Sequence, residues 1–265
     1  MERGVRKRIA IIGAGNVATH LAQALSKSSD IIQIYSRNID NAQSLVAHIA
    51  NAEAIDDITN LREDVDVYIV SVKDDAIAGI VGAIPEKCKG GLWVHTSGSV
   101  PMSVFADGAM ECYGVLYPLQ TFSRNVNVNV SEIPFFVEGN NAKVEDAIKE
   151  LTLSMSPIVK CADSEMRRRI HIAAVYACNF ANHMWTLADE VLKDGGLSFD
   201  VLLPLLKVSL EKVAQVAPFE AQTGPAKRGD VEVMNKHLEL LDNEKAEIYK
   251  LLSQSIMNRN NIVDI

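Results

Sequence analysis

The chain has 265 residues, of which 48% are hydrophobic, and its formal net charge is −8. This length allows one large domain or two ordinary ones with a sizeable core. The negative charge argues against nucleic acid and anionic membranes as partners, and no run of 18 uninterrupted apolar residues is present to span a bilayer.

The chain opens with a short apolar run, residues 9–12, that ends in the pattern G-x-G-x-x-A and continues as a helix-period segment. Gly13 permits a sharp turn, Gly15 lets a pyrophosphate approach the backbone, and Ala18 lets the helix pack on the strand. Asn16 and Val17 place free N–H groups at the helix start, where an anion binds. This strand–turn–helix predicts a dinucleotide site, although an ordinary βα turn without a ligand has the same pattern.

The second predicted strand, residues 31–34, leads into Ser36, Arg37 and Asn38. An NAD site usually has an acid here to hold the ribose hydroxyls. No acid is present between residues 31 and 39, and a guanidinium matches a phosphate well. The sequence therefore favours NADP over NAD; the alternative is a solvated loop arginine.

Strand and helix patterns alternate through the rest of the first part. The alternation predicts a mostly parallel sheet with helices on both faces. The predicted strands are residues 53–55, 65–72, 92–96, 112–116, 134–138 and 158–159, and the predicted helices are residues 40–51, 75–84 and 142–154.

After about residue 164 no strand pattern survives. Residues 165–191 predict one long helix of about 27 residues, or roughly 40 Å at 1.5 Å per residue. Further helices are predicted at residues 201–216, 231–241 and 244–258. The prediction is an α/β Rossmann dinucleotide-binding domain over residues 1–160, followed by an all-α domain over residues 161–265.

The four cysteines are scattered, with no C-x-x-C pair and no histidine at metal spacing. They are Cys88, Cys112, Cys161 and Cys178. We expect reduced, mostly buried thiols in a cytoplasmic protein, and no metal site.

Several motifs in both halves resemble one family. They are GAGNVA at 13–18, VKDDAI at 72–77, HTSG at 95–98, YPLQTF at 117–122, TGP at 223–225 and RGD at 228–230. The chain resembles NADP oxidoreductases with a Rossmann-like N-terminal domain and a C-terminal domain of unknown function. This family lies in the superfamily of 6-phosphogluconate dehydrogenase, 3-hydroxyisobutyrate dehydrogenase, ketopantoate reductase and pyrroline-5-carboxylate reductase. The resemblance implies a 6-phosphogluconate-dehydrogenase-like helical domain that binds substrate and forms a homodimer. A helix buried within its own domain would explain the apolar pattern equally.

Two loops follow the strands predicted at residues 65–72 and 92–96. Ligands bind outside the carboxyl ends of parallel strands, so both loops are candidate cofactor contacts. The resemblance implies that the first loop flanks the adenosine half of the cofactor and the second lies near the nicotinamide. The residues concerned are Ser71, Val72 and Lys73 in the first loop and Thr96 and Ser97 in the second.

His95 could donate a proton to a carbonyl group; the alternative is a histidine that caps the strand end. The long helix has His171, Asn179 and Asn182 at spacings near whole turns, which predicts one shared face. In the hydroxyacid dehydrogenase relatives this helix supplies a catalytic lysine and, one turn later, an asparagine. If Asn179 matches that asparagine, Val175 stands where the lysine would be. His171 is then the nearby titratable substitute, unless it is a satisfied core histidine.

The sequence thus predicts an NADP-dependent oxidoreductase that transfers a hydride to or from a small carbonyl, hydroxy or imine substrate. Two alternatives stay open: a deazaflavin-dependent NADP oxidoreductase and a non-enzymatic NADP-binding sensor or scaffold. We expect a cleft with His95, Ser97 and Gln120 on one wall and His171 and Asn179 on the other.

Overall fold

A single sheet organises the first part of the chain in the computed structural model, which describes residues 6–123 and 126–262. Its strands are β1 (Arg8–Ile12), β2 (Asp30–Tyr35), β3 (Glu53–Ile55), β4 (Val67–Val70), β5 (Leu92–His95), β6 (Cys112–Pro118), β7 (Phe135–Gly139) and β8 (Val159–Cys161). The strand order is β3-β2-β1-β4-β5-β6-β7-β8. Neighbouring strands are parallel except for the antiparallel pair β6 and β7. The predicted α/β fold class is confirmed.

Helices cover this sheet, and short 3₁₀ turns lie at Ile58–Asn60, Glu86–Cys88 and Val130–Glu132. The helices are α1 (Asn16–Leu25), α2 (Ile39–Val46), α3 (Asp74–Gly82), α4 (Val104–Asp107), α5 (Ala142–Leu153) and α6 (Ser164–Ala174). The predicted helix at residues 40–51 is shorter in the structure, because α2 ends at Val46 and Asn51 adopts a left-handed φ of 63°.

The central strand β1 shows why the sheet is covered on both faces. Side chains alternate across a strand. Ile9 and Ile11 belong to one buried apolar cluster, and Ala10 and Ile12 belong to another. A strand buried on both faces reads as a continuous apolar run, and this is the run from which the sequence predicts the strand.

The chain forms two compact units, residues 1–178 and 179–265. The second unit is helical, with α7 (Ala181–Asp194), α8 (Leu203–Val213), α9 (Pro218–Ala221), α10 (Pro225–Arg228), α11 (Val231–Leu238), α12 (Asn243–Arg259) and a 3₁₀ turn at Phe199–Leu202. Its small buried core consists of Ala226, Met234 and Met257. The domain boundary near residue 160 stays a prediction of the sequence; the last strand, β8, ends beside it.

The predicted long helix is interrupted. A π-helical segment, Val175–Phe180, joins α6 to α7. Because a π-helix bonds residue i to i+5, it shifts the helical period at this point. The 3.6-residue spacing from which a shared face of His171, Asn179 and Asn182 was predicted therefore does not hold through this segment.

The expectation of mostly buried cysteines is wrong. Cys88 is buried and Cys112 partly buried, whereas Cys161 and Cys178 are exposed, and all four are free thiols. In the described parts of the chain, no helix has the length and apolar character needed to cross a bilayer.

A buried ion pair fastens α6 to the sheet. The guanidinium of Arg167, whose side chain is 1% exposed, pairs with the carboxylate of Glu138 on β7. Arg167 Nη2 also donates to the backbone oxygen of Val100 at 2.6 Å. The backbone N–H of Ser164 donates to Glu138 Oε1 at 3.1 Å, and its hydroxyl donates to Oε2 at 3.0 Å. Buried charges need such partners, since an unpaired one is costly.

We expect Arg167→Met to lower the free energy of unfolding by about 3–5 kcal/mol, because Glu138 would remain buried without its counter-charge. Arg167→Met combined with Glu138→Gln should recover part of that loss. Urea unfolding followed by circular dichroism measures both.

The control for this prediction is Arg169→Met on the same helix. Arg169 pairs with Glu165, but both side chains are exposed, at 69% and 74%. Exposed pairs contribute little, so stability should barely change. Equal small losses in the Arg167 and Arg169 variants would contradict a structural role for the buried pair.

Candidate functional site

A cavity of about 1080 Å³ lies within the first unit, at the edge where β1, β2, β4, β5 and β6 end. The strand order reverses at β1, and such switch points are where open α/β sheets bind dinucleotides. The sequence-predicted residues that line it are Gly13, Gly15, Asn16, Val17, Ser36, Arg37, Asn38, Ser71, Val72, Lys73, Thr96, Ser97, Gln120 and His171.

The glycine turn after β1 has the geometry that the motif requires. Gly13 has a φ of +122°, and a Cβ placed there would lie 2.1 Å from the Ser71 oxygen. A Cβ at Gly15 would meet nothing within 4 Å, and Gly15 begins α1 without a side-chain cap. Uncapped N–H groups at a helix start are suited to bind an anion. Ala18 lies beneath them, fully buried against the sheet, and does not line the cavity.

Two of the α1 side chains hold the wall formed by the chain after β6. Asn16 Nδ2 donates to the Phe122 oxygen at 3.0 Å. The ring of His20 lies 5.1 Å from that of Phe122, and its Nε2 is 3.1 Å from the Ser123 oxygen. Asn16 thus positions a wall residue through its side chain.

The end of β2 presents an unpaired cation. Arg37 is exposed, and no described residue pairs with its guanidinium. Asn38 caps the N-terminus of helix α2, because its Oδ1 accepts the Asp40 N–H at 2.9 Å. Ser36 is held by its backbone N–H, which donates to the Ile55 oxygen at 3.0 Å. Arg37 is therefore the cationic side chain of this group that is available to a ligand, and the Ser36 side chain also lines the cavity.

Hydroxyl groups connect the loops after β4 and β5. Thr96 Oγ1 donates to Ser71 Oγ at 3.3 Å. Ser97 Oγ accepts the backbone N–H groups of Ser99 and Val100 at 3.1 and 3.0 Å. The Ser99 hydroxyl in turn donates to Asp74. These bonds fix the loop that forms the floor of the cavity.

His95 does not reach the cavity. Its ring is fully buried and lies 5.7 Å from the ring of Phe105. Nδ1 accepts the backbone N–H of Ser97 at 3.2 Å. Burial, together with the positive charge of Arg167, lowers the pKa of His95 to about 4. The ring is therefore uncharged at neutral pH, and its position favours the strand-end alternative over the proton-donor role.

Two side chains that line the cavity, Tyr117 and His171, are within hydrogen-bond distance of each other. Tyr117 Oη lies 3.1 Å from His171 Nδ1, and the rings meet edge to face with centroids 6.1 Å apart. Gly98 makes room for both, since a Cβ there would lie 2.8 Å from Tyr117 Cζ and 2.9 Å from His171 Cγ. Burial raises the pKa of Tyr117 above its ordinary value.

Tyr117 was not assigned a role from the sequence. It stands at the end of β6, on the same edge as the loops after β4 and β5. The strand-end rule could have identified it, had the sixth strand been extended from residue 116 to Pro118. Asn179 lies in the second unit, on the π-helical segment, with an exposed side chain. Its catalytic role stays a prediction.

The burial of His95 predicts an acid-sensitive fold. An unfolded imidazole takes up a proton near pH 6.5, whereas the folded ring does so only near pH 4. The unfolded state therefore binds more protons in this window, and stability falls as the pH falls through it. We expect a loss of up to about 3 kcal/mol, at about 1.4 kcal/mol per pKa unit.

Unfolding free energies measured between pH 7 and pH 4 test this. His95→Gln keeps an acceptor for the Ser97 N–H but cannot titrate, so its profile should be flatter than that of the parent protein. Parallel profiles would assign the acid sensitivity to other groups.

Comparisons with known proteins identify the family of the chain. Residues 8–97 match the family described as NADP oxidoreductase coenzyme F420-dependent, and residues 133–256 match the domain of unknown function DUF2520. No curated protein sequence matches the chain.

Among solved structures, BF3122 from Bacteroides fragilis, provisionally described as an NADP oxidoreductase, is 42% identical, with a TM-score of 0.87 over 96% of this chain and 98% of that one. An imine reductase from Myxococcus stipitatus in complex with NADP⁺ is 12% identical, with a TM-score of 0.65 over 96% and 93%. The pyrroline carboxylate reductase of Plasmodium falciparum with NADP bound is 14% identical, with a TM-score of 0.60 over 96% and 100%. The last two show a shared fold.

The identity to the Bacteroides fragilis protein extends over nearly the whole of both chains. The two family matches, one in each half, occur in the order that the sequence motifs indicate. The chain therefore belongs to the family of NADP oxidoreductases in which a Rossmann-type domain precedes a DUF2520 domain.

Proposed function

We propose that the protein is an NADP-dependent oxidoreductase that transfers a hydride to or from a small carbonyl, hydroxy or imine compound. The observation that carries the proposal is that the uncapped start of α1, the unpaired Arg37 and the Tyr117–His171 pair all line one cavity. Anion-binding and proton-holding groups thus face the same space.

The described residues fit NADP. Gly15 leaves open space above the start of α1, where the pyrophosphate would approach the backbone. Arg37 would hold the 2′-phosphate, since a guanidinium can meet two of its oxygens at once. Ser71, Lys73, Thr96 and Ser97 lie along the same cavity and would contact the rest of the nucleotide.

The bound nicotinamide would supply or accept the hydride. The protein contributes placement and a proton. The groups in the cavity that can hold this proton are Tyr117 and His171, which contact each other; His171 is half-buried on α6. Asn179 is the further catalytic candidate from the sequence, and it belongs to the second unit.

A second function has one observation in its favour. The family matched by residues 8–97 is described as coenzyme F420-dependent. In that case the hydride would pass between NADP and a deazaflavin in place of a small metabolite. Mixing the protein with NADPH and oxidised deazaflavin, and following the deazaflavin absorbance, distinguishes the two. A protein that binds NADP but transfers no hydride to either acceptor class would be the sensor or scaffold.

We also propose that the protein is a homodimer assembled through its helical domain. Helix α8 leaves apolar side chains uncovered in the single chain, among them Leu205 at 62% and Leu210 at 71% exposure. Several large apolar side chains exposed on one helix favour an interaction surface. Trp185 and Phe219, also in the second unit, are similarly exposed.

NADPH preference is expected to depend on Arg37. A hydrogen bond to a charged group contributes roughly 1.5–3 kcal/mol, or about 10- to 150-fold in affinity. Arg37→Ala should weaken NADPH binding by a factor in that range and leave NADH binding nearly unchanged. Titration calorimetry of both cofactors against both proteins measures this.

The control is Arg169→Ala, since Arg169 is an exposed arginine that does not line the cavity. It should bind both cofactors as the parent protein does. Equal binding of NADH and NADPH by the parent protein would refute the NADP assignment. An equal loss of both in Arg37→Ala would show that Arg37 supports the loop instead of the phosphate.

Dimerisation is expected to fail when charge enters the α8 surface. Leu210→Asp should shift the protein towards the monomer, because a carboxylate would be desolvated in the interface. Leu153→Asp is the control, since Leu153 is 57% exposed on α5 of the first unit. Sedimentation velocity of the three proteins gives the result; a parent monomer would overturn the dimer proposal.

A further inference from the structure

We infer that Tyr117 is the proton donor of the reaction and that His171 is the residue that orients its hydroxyl group. This inference rests on the proposed function and deepens it. The catalytic group would then be a tyrosine at the end of β6, whereas the sequence had offered only residues of the long helix and His95 for this role.

The first support is the environment of the pair. Tyr117 is 8% exposed, yet it lines the cavity, so the residue is mostly shielded from solvent and still borders the space that a substrate would enter. The 3.1 Å contact between Oη and His171 Nδ1 allows either group to donate. If Nδ1–H donates to Oη, the tyrosine proton is left free to point at a substrate in the cavity.

The second support is the close packing of both rings against Gly98. A Cβ on Gly98 would lie within 2.9 Å of each ring, so the pair requires a residue without a side chain here. Gly98 does not have a positive φ, so its backbone conformation is open to any residue. The need for glycine arises from the close approach of Tyr117 and His171.

The charges around Tyr117 act in both directions. Burial and the charge of Asp74 raise the pKa of Tyr117, which makes its hydroxyl group a weaker acid. The buried charge of Arg167 opposes them and favours the phenolate. Donation by Tyr117 therefore depends on Arg167 and on a hydrogen bond from His171 to stabilise the phenolate.

As the carbon of the C=O or C=N bond gains the hydride from the cofactor, its oxygen or nitrogen takes the proton of Tyr117 Oη. The phenolic O–H bond breaks and its electron pair stays on Tyr117 as the phenolate. The Nδ1–H of His171 and the charge of Arg167 stabilise that phenolate until water in the cavity returns a proton to it.

Nitrogen-15 spectra of histidine-labelled protein test the orientation without any substrate. At pH 8.5, where imidazole side chains carry no charge, the His171 signal, identified from its loss in His171→Asn, should report a proton on Nδ1. Tyr117→Phe should change that tautomer, since the His171 Nδ1–H would lose the hydroxyl oxygen that accepts it. A His171 ring with a bare Nδ1 in the parent protein would overturn the inference, because the tyrosine proton would then be donated to the ring.

Turnover tests the chemistry. The probes are 1-pyrroline, a cyclic imine, and propanal, an aldehyde, each with NADPH. A missing general acid typically costs about 100-fold or more in rate, and we expect this loss in kcat for Tyr117→Phe with unchanged NADPH affinity. Gly98→Ala should lower kcat as well, although both side chains are still present.

Two further variants separate positioning from folding. His171→Leu should lower kcat, and His171→Asn should restore most of it, because an amide N–H can replace Nδ1–H. Tyr113→Phe, on the same strand but outside the cavity, should keep the parent rate. If Tyr117→Phe reduces a probe at the full parent rate, this inference is overturned and the proposed function is not. Bound NADPH with no hydride transfer by the parent protein to either probe would overturn the reductase function, and this inference with it.

Discussion

The buried pair between Arg167 and Glu138 is the interaction on which the candidate site depends. Glu138 belongs to β7, and Arg167 to the first turn of α6, so the pair fixes where that helix begins against the sheet. Arg167 also holds the Val100 oxygen, which lies at the end of the loop after β5. One guanidinium thus connects a strand, a helix and a cavity loop.

This connection explains the position of His171. Residues four apart on a helix lie on the same face, so the helix that places Arg167 under the loop also places His171 one turn further on. There the ring meets Tyr117 and the space left by Gly98. The same buried charge acts on two titratable groups: it helps to lower the pKa of His95 and opposes the rise in the pKa of Tyr117. Stability and proton chemistry are therefore linked through one residue.

The comparison with known proteins establishes the family, whereas the structure shows which side chains meet in the cavity. The match to NADP oxidoreductases concerns the whole chain, and the turn at Gly13 and Gly15 has the backbone geometry that a dinucleotide motif requires. On the substrate side, if Asn179 matches the asparagine of the hydroxyacid dehydrogenase relatives, Val175 stands where those relatives have lysine. A tyrosine from the sheet paired with a histidine from α6 is a different way to hold a proton at the same edge.

The sequence by itself determined the features that depend on local patterns. Apolar runs specify β1 and β4, the glycine turn specifies the start of α1, and the absence of an acid before α2 leaves Arg37 as the cation of that loop. These follow from strand burial, backbone freedom and charge, all of which act within a few residues. Both the Rossmann-type sheet and the helical second half were predictable in this way.

Only the tertiary structure decided which distant residues meet. Tyr117 and His171 are 54 residues apart, and Arg167 and Glu138 are 29 apart. No local pattern records such contacts, since they depend on how α6 packs against β6 and β7. Tertiary packing also buried His95, against Phe105 of α4, although the strand-end rule had directed it towards the cavity. The π-helical turn at Val175–Phe180 was also beyond the sequence, because its residues fit an ordinary 3.6-residue period.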